Sequence, residues 1–214
     1  MTLISRRNLM LAAAVGAAAA LTAGALIASS ADASVQTGAP APAFAVVDTK
    51  GATRTLQEFA GRTVVLEWTN RDCPFVRKHY NSGNMQALQR EATAAGVVWL
   101  SVISSAPGQQ GYLSAADADA NVHSAHAAPT AVLLDPTGAM GHAYGARNTP
   151  HMYIISGEGR LVYQGAIDDR PSANPTSLEG ARNYVRAALA DIRAGRAVAT
   201  PETTPYGCTV KYSG

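Results

Sequence analysis

The stretch Val64-Val65-Leu66-Glu67-Trp68-Thr69-Asn70-Arg71-Asp72-Cys73-Pro74-Phe75-Val76 constrains the fold more than any other part of the chain. A nearly continuous apolar run of strand length is the mark of a strand covered on both faces, as in a parallel sheet. A short polar turn carries it into Pro74, a favoured first residue of a helix. Parallel strands need a crossover, usually helical, so the same strand-helix order should recur downstream. It does. Val76, Tyr80, Leu88 and Ala92 fall at helical spacing over residues 74–95, with a kink at Gly83 and a stop at Gly96. Residues 97–103 form the next buried strand. Ser114-Ala115-Ala116-Asp117 opens a helix to about residue 126. A strand over 130–134 ends in the turn Asp135-Pro136-Thr137-Gly138, and 139–144 form a short helix. Residues 151–156 and 160–164 make a hairpin about Gly157-Glu158-Gly159, and 177–194 a last amphipathic helix. Upstream, 44–48 read as a short strand and 55–59 as a helical turn. The fold class is α/β: a mixed central sheet with helices on both faces.

Residues 1–33 read as an export signal. Ser5-Arg6-Arg7-Asn8-Leu9-Met10 precedes an alanine-rich apolar run, and Ala31-Asp32-Ala33 supplies an A-x-A processing site. The paired arginines suggest the twin-arginine route. The alternative is an uncleaved anchor, because residues 9–28 are long enough to cross a bilayer. Cleavage after residue 33 of the 214 leaves 181 residues: a polar lead-in over 34–41, a domain over 42–195 and an irregular tail over 196–214. Taking Arg6, Arg7 and Asp32 from the 17 basic and 15 acidic residues leaves a formal charge near +1. With no basic stripe, nucleic acid is excluded as an expected partner, and no membrane contact is expected after cleavage. The expected location is the periplasm of a Gram-negative bacterium. In such an oxidising compartment disulfides persist, so the two cysteines, Cys73 and Cys208, also fit one structural bridge.

The chain resembles the thioredoxin-like superfamily in its peroxiredoxin-like branch (alkyl hydroperoxide reductase/thiol-specific antioxidant, or redoxin). Three segments carry the resemblance. They are Pro42-x-Phe44…Asp48-x-x-Gly51…Leu56…Gly61-Arg62-Thr63-Val64-Val65-Leu66-x-Trp68, the turn Cys73-Pro74-Phe75-Val76, and Thr149-Pro150 ahead of a strand. The late segment Gly207-Cys208-Thr209-Val210-Lys211-Tyr212 is similar to one found in a subgroup with a single cysteine in a C-P-[FY]-V turn. The resemblance implies a thioredoxin-like fold over about residues 40–195 and a cis proline at Pro150 facing the redox cysteine. With Thr149, that proline would shape the pocket and leave the preceding backbone free to pair with an incoming strand. Two departures stand out. A C-x-x-C pair would need a second thiol at position 76, where Val76 stands. The P-x-x-x-T-x-x-C pattern of peroxiredoxins meets Leu66 and Asn70. One-turn dithiol exchange is therefore excluded, and fast peroxide turnover is not expected.

Chemically, the thiolate is the nucleophile and metal ligand, and a free thiol ionises near pH 8.5. At a helix start, unpaired backbone N–H groups and the positive helix end favour the anion. Arg71 and Arg77 are expected to stabilise the Cys73 thiolate, with Lys78 adding charge and Asp72 opposing. The alternative is a buried, inert cysteine. Cys208 is either the resolving partner or one end of a fixed staple across 134 intervening residues. Closing the bridge needs Cα atoms within about 7 Å, so the tail must fold back. Cys73, Cys208 and one of His79 or His151 would make a copper(I) set, and His123 with His126 a weak pair, but no resident metal or cofactor is expected. Trp68, Trp99 and Tyr153 read as core, and Asp168-Asp169 as a solvated turn. The leading reading is an exported thiol–disulfide oxidoreductase or antioxidant, with Cys73 as nucleophile and Cys208 as the possible resolving thiol. Its partners are a protein thiol or disulfide, a small thiol, or peroxide. The alternatives are a slow thiol-dependent peroxidase, a copper carrier, or a structural module.

Overall fold

The computed structural model describes residues 35–213; the signal reading of 1–33 lies outside the described residues. Nine strands and five helices follow one another as β1 (Ala45–Val47), β2 (Thr53–Thr55), β3 (Val64–Trp68), α1 (Pro74–Asn81), α2 (Asn84–Ala94), β4 (Val98–Ile103), α3 (Ala115–Ser124), β5 (Ala131–Leu134), α4 (Ala139–Tyr144), β6 (Asn148–Thr149), β7 (His151–Ile155), β8 (Leu161–Gly165), α5 (Tyr184–Arg193) and β9 (Cys208–Thr209). The central sheet has the order β5-β4-β3-β7-β8. β3, β4 and β5 run parallel, and β7 and β8 return antiparallel. Helical crossovers join the parallel strands, as expected.

Alternation along β3 divides its side chains between two cores, because successive residues face opposite sides of a sheet. Val64, Leu66 and Trp68 join Leu100, Tyr144, Tyr153 and Ile155 on one side, where α4 packs. Val65 joins Met85, Leu88, Trp99, Met152, Ile154 and Val185 on the other, against α2 and α5. Trp68, Trp99 and Tyr153 are fully buried, as the sequence reading has it. Helices therefore cover both faces, and the mixed α/β architecture is thioredoxin-like.

Local departures have local causes. The helical run 74–95 is two helices, broken at Gly83 with φ 76. The last helix begins at Tyr184 instead of 177. The Asp168↔Asn183 bridge holds the chain extended up to Asn183, whose side chain then caps the helix through the Arg186 N–H. Residues 175–178 form only a 3-10 turn. Strand β2, a partner for β1 across the Gly51 turn, was not anticipated. Ser114 caps α3 as expected, accepting from the Asp117 N–H. Among the described residues no helix is long and apolar enough to cross a membrane.

Candidate active site

The site is built where β3 ends. Cys73 is the N-cap residue of α1, in extended conformation, with Pro74 at the first helical position. A proline there sacrifices no hydrogen bond, since the first N–H groups of a helix lack intrahelical partners. The turn ahead of Cys73 is tied down by Asn70. Its Oδ1 accepts from the Asp72 N–H at 2.9 Å, and its amide donates to Gln110 O at 3.3 Å. Gly111 packs so closely that a Cβ there would lie 2.3 Å from the Asn70 side chain. Asn70 thus organises the loop.

Cys73 is fully buried. As a thiol it donates to Thr149 O at 3.1 Å. The Thr149–Pro150 bond is cis. Burial pushes the Cys73 thiol up. Hydrogen bonds from the Cys208 thiol, the Val76 and Cys208 backbone N–H groups and the Thr149 side chain outweigh it and hold the group below its ordinary value. Cys208 moves the opposite way, to about 11, because burial and its contact with Cys73 both disfavour its anion. Ionisation is thus favoured at Cys73 relative to Cys208. Both are free.

Arg71 and Arg77, expected to stabilise the thiolate, are turned to solvent and to Asp72. Their guanidinium groups lie 3.9 and 3.4 Å from the Asp72 carboxylate, and Arg77 also donates to Arg71 O. The groups that lower the Cys73 thiol are the Cys208 thiol, two backbone N–H groups and the Thr149 side chain instead.

The tail forms a strap that is irregular over most of its length but firmly seated. Strand β9 pairs antiparallel with β6, setting Cys208 opposite Thr149 and Thr209 opposite Asn148. Gly207 has φ 116, and a Cβ there would lie 2.1 Å from Thr149 O, so the approach is open only to glycine. Past the thiol, Val210 N donates to Arg147 O at 2.9 Å and Ala106 N to Lys211 O at 2.8 Å. Tyr212 stacks on His142 and donates to Ala146 O at 2.6 Å.

Ahead of the thiol, Tyr206 packs on Phe75 and sends its hydroxyl into a buried cradle. That hydroxyl donates to Asp168 at 2.5 Å and accepts from Lys78 Nζ at 3.0 Å. His79 Nδ1 accepts from Asn84, so Nε2 carries the proton toward Tyr206 OH at 3.1 Å. Burial and the neighbouring Lys78 push His79 down to about 4, so it is neutral. Burial likewise lowers Lys78, with the Asp168 carboxylate opposing. The solvated-turn reading of Asp168-Asp169 therefore needs correction. Asp168 is 2 % exposed, and Lys78 Nζ lies 3.4 Å from it.

Neither histidine proposed for a copper set binds the thiols. His79 serves Tyr206, and His151 contacts Tyr153 OH and the Arg147 N–H, with burial pushing it to about 3. Among the described residues no group of three or more potential ligands converges. A cleft of about 810 Å³ is lined by His151, Arg147, Gln164, Glu202 and Tyr212, and neither cysteine lines it.

Sequence reasoning missed Glu67. This carboxylate lies on β3, fully buried on the α2 side, and accepts from Tyr80 OH, Trp99 Nε1, Ser101 Oγ and Gln89 Nε2 at 2.7 to 3.1 Å. Burial pushes its pKa up against those four donors. The available signal was a lone acid inside an apolar strand. Tyr206 was missed as well, since a single tyrosine in a Pro- and Thr-rich tail carries no pattern.

Several solved structures share this architecture. A hypothetical protein from Sinorhizobium meliloti superposes with a TM-score of 0.71 at 24% identity, over 85% of this chain and 97% of that one. An uncharacterized conserved protein from Geobacillus kaustophilus gives 0.72 at 25% identity, over 83% and 93%. The thioredoxin domain of a thiol-disulfide oxidoreductase from Bacteroides vulgatus gives 0.50 at 20% identity, over 69% and 98%. No curated protein matches the chain. Residues 36–181, spanning β1 to the approach to α5 and including the Cys73 turn and Thr149-Pro150, match the Redoxin family, and the chain belongs to that family.

Proposed function

We propose that this protein is an exported thiol–disulfide oxidoreductase in which Cys73 is the attacking thiolate and Cys208 the resolving thiol. The observation that carries the reading is that the β6–β9 pairing sets a second free thiol, Cys208, opposite the Thr149 that accepts from Cys73, with the ionisation of the two pushed in opposite directions. A structural pair has no need of such a division; an exchange site does, because the thiolate is the attacking species. Membership of the Redoxin family agrees with it, as does a fold shared with the Bacteroides vulgatus oxidoreductase domain. Export rests on the Arg6-Arg7 leader and the Ala31-Asp32-Ala33 site.

In the reducing direction, the Cys73 thiolate attacks one sulfur of a partner disulfide. A Cys73–partner bond forms, and the partner's other sulfur leaves as a thiolate. Cys208 then gives up its proton and attacks Cys73 Sγ, forming the Cys73–Cys208 bond and releasing the second partner sulfur. The partner disulfide gains two electrons and, with two protons, becomes two thiols, while the protein pair is oxidised. An external protein dithiol or small thiol reverses the last state.

The test is trapping. With a protein disulfide as substrate, Cys208→Ser should accumulate a covalent adduct through Cys73 that dithiothreitol releases. Exchange by Cys73→Ser at the parental rate would end the reading.

A further inference from the structure

The nucleophile of this site is covered by the protein's own tail. Cys73 has no exposed surface, and the groups on its sulfur are Thr149, Val76 and Cys208. No partner sulfur reaches it while the strap is seated. The strap's manner of seating is that of one polypeptide strand on another: antiparallel pairing over Asn148–Thr149, then a bond from Val210 N to Arg147 O. An edge that pairs with an added strand gains main-chain hydrogen bonds, and its pockets read alternate side chains. Here the pocket is the cradle of Phe75, Lys78, His79 and Asp168, and what it reads is the ring and hydroxyl of Tyr206, two residues ahead of Cys208. The residue between them has no room for a side chain.

We propose that the β6 edge and the buried cradle form a recognition groove for an extended, cysteine-bearing polypeptide with an aromatic hydroxyl two residues before its cysteine, and that the C-terminal strap is the groove's intramolecular occupant, displaced when such a partner binds. The inference rests on Cys73 being the attacking thiolate and adds the class of partner and the manner of its access. Tyr206 is then a positioning residue for Cys208 in the closed state. The buried Lys78–Asp168 pair makes the cradle a site for a hydroxyl that donates and accepts at once, since Tyr206 OH gives its proton to Asp168 and takes bonds from Lys78 and His79. A phenylalanine fills the apolar wall at Phe75 and removes the hydroxyl that bridges Asp168, Lys78 and His79, while Lys78 keeps Arg170 O and Asp168.

The experiment uses full-length protein carrying Gly207→Val, whose side chain has no place in the seat, and separately Tyr206→Phe. Labelling of Cys73 by iodoacetamide is followed by peptide mass mapping. In both variants Cys73 should label at least about tenfold faster than in the parent, equivalent to about 1.4 kcal/mol taken from the closed state. A synthetic peptide with the sequence of residues 202–213 and serine for its cysteine should slow the labelling again. The same peptide with alanine in place of Tyr206, and Tyr212 kept, should not. Unchanged labelling in both variants overturns the proposal, as does a peptide without effect or one that protects equally without Tyr206. If Gly207→Val fails to fold, Tyr206→Phe and the two peptides carry the test alone. Labelling needs no disulfide exchange. A protein that labels as expected but exchanges nothing would end the oxidoreductase reading and leave the groove standing.

Discussion

The two cysteines meet at Thr149, yet the regions that hold them are built by opposite means. Around Cys73 the organising contacts are mostly short in sequence: Asn70 two residues from Asp72, the Val76 N–H three residues on, Pro74 next door. Around Cys208 every organising contact is long. Tyr206 reaches Lys78 across 128 residues, and Asn148 reaches Gly207 across 59. The turn places Cys73 at the helix start; the strap and β6 supply most of the donors that lower its thiol and set where the second thiol stands. A nucleophile can be positioned by a few neighbours in the chain, whereas its ionisation and its partner's position depend on the whole domain being folded.

The largest separation between the regions should appear in exchange rate. Cys73→Ser should lower disulfide reduction by roughly a thousandfold or more, the scale of losing a nucleophile, whereas Cys208→Ser should keep the first step and stall at the adduct. Rapid-quench electrophoresis under non-reducing conditions separates these outcomes, and equal loss of adduct in both variants would erase the distinction.

In stability the order reverses. Lys78→Met strands the buried Asp168 carboxylate beneath the strap and should cost about 3–5 kcal/mol in urea unfolding, as breaking buried pairs does. Arg77→Met, on the exposed side of the turn, removes a solvent-screened contact to Asp72 and should cost less than about 1 kcal/mol. Similar losses at both positions would mean that the cradle is not a buried charge site.

Acid should also act through the strap. The unfolded chain protonates His79 and His151 near pH 6.5, while the folded chain refuses those protons until about 4 and 3. The unfolded state therefore binds more protons, and stability falls as pH drops below 6.5, by about 1.4 kcal/mol per pH unit for each histidine. His79→Gln should remove one of the two slopes between pH 6.5 and 4; urea midpoints measured across that range would show the same pH dependence in parent and variant if His79 were solvated. The smallest signal is spectroscopic. Thiolate absorbance should titrate in two steps, Cys73 below the ordinary thiol value and Cys208 near 11, and a single step for both sulfurs would contradict the division of charge.

Much of the turn was legible in the sequence, and little of the strap. An apolar strand running into Cys73-Pro74 specifies a strand, a turn and a helix within 15 residues, because burial on both faces and the conformational limits of proline are local properties. The same locality explains the capping of α3 by Ser114. Glu67, Asp168 and Tyr206 were not legible, since each is held by partners brought together only by the folded domain. Arg71 and Arg77 show the complementary error. Their nearness to Cys73 in sequence suggested a role, but long side chains at a helix start reach solvent and Asp72 more readily than a sulfur turned inward.

The pairing of Thr149 with Cys208 has a consequence for redox poise. Each contact that seats the strap raises the effective concentration of one thiol at the other, and by linkage the same free energy opposes reduction of the bond they form. The hydroxyl of Tyr206, bonded to Lys78, His79 and Asp168 and to neither sulfur, then acts on the same quantity as a change of cysteine would. A structural bridge and a catalytic one become two settings of a single latch, with potentials below about −300 mV at the tight end and higher values as the latch is loosened.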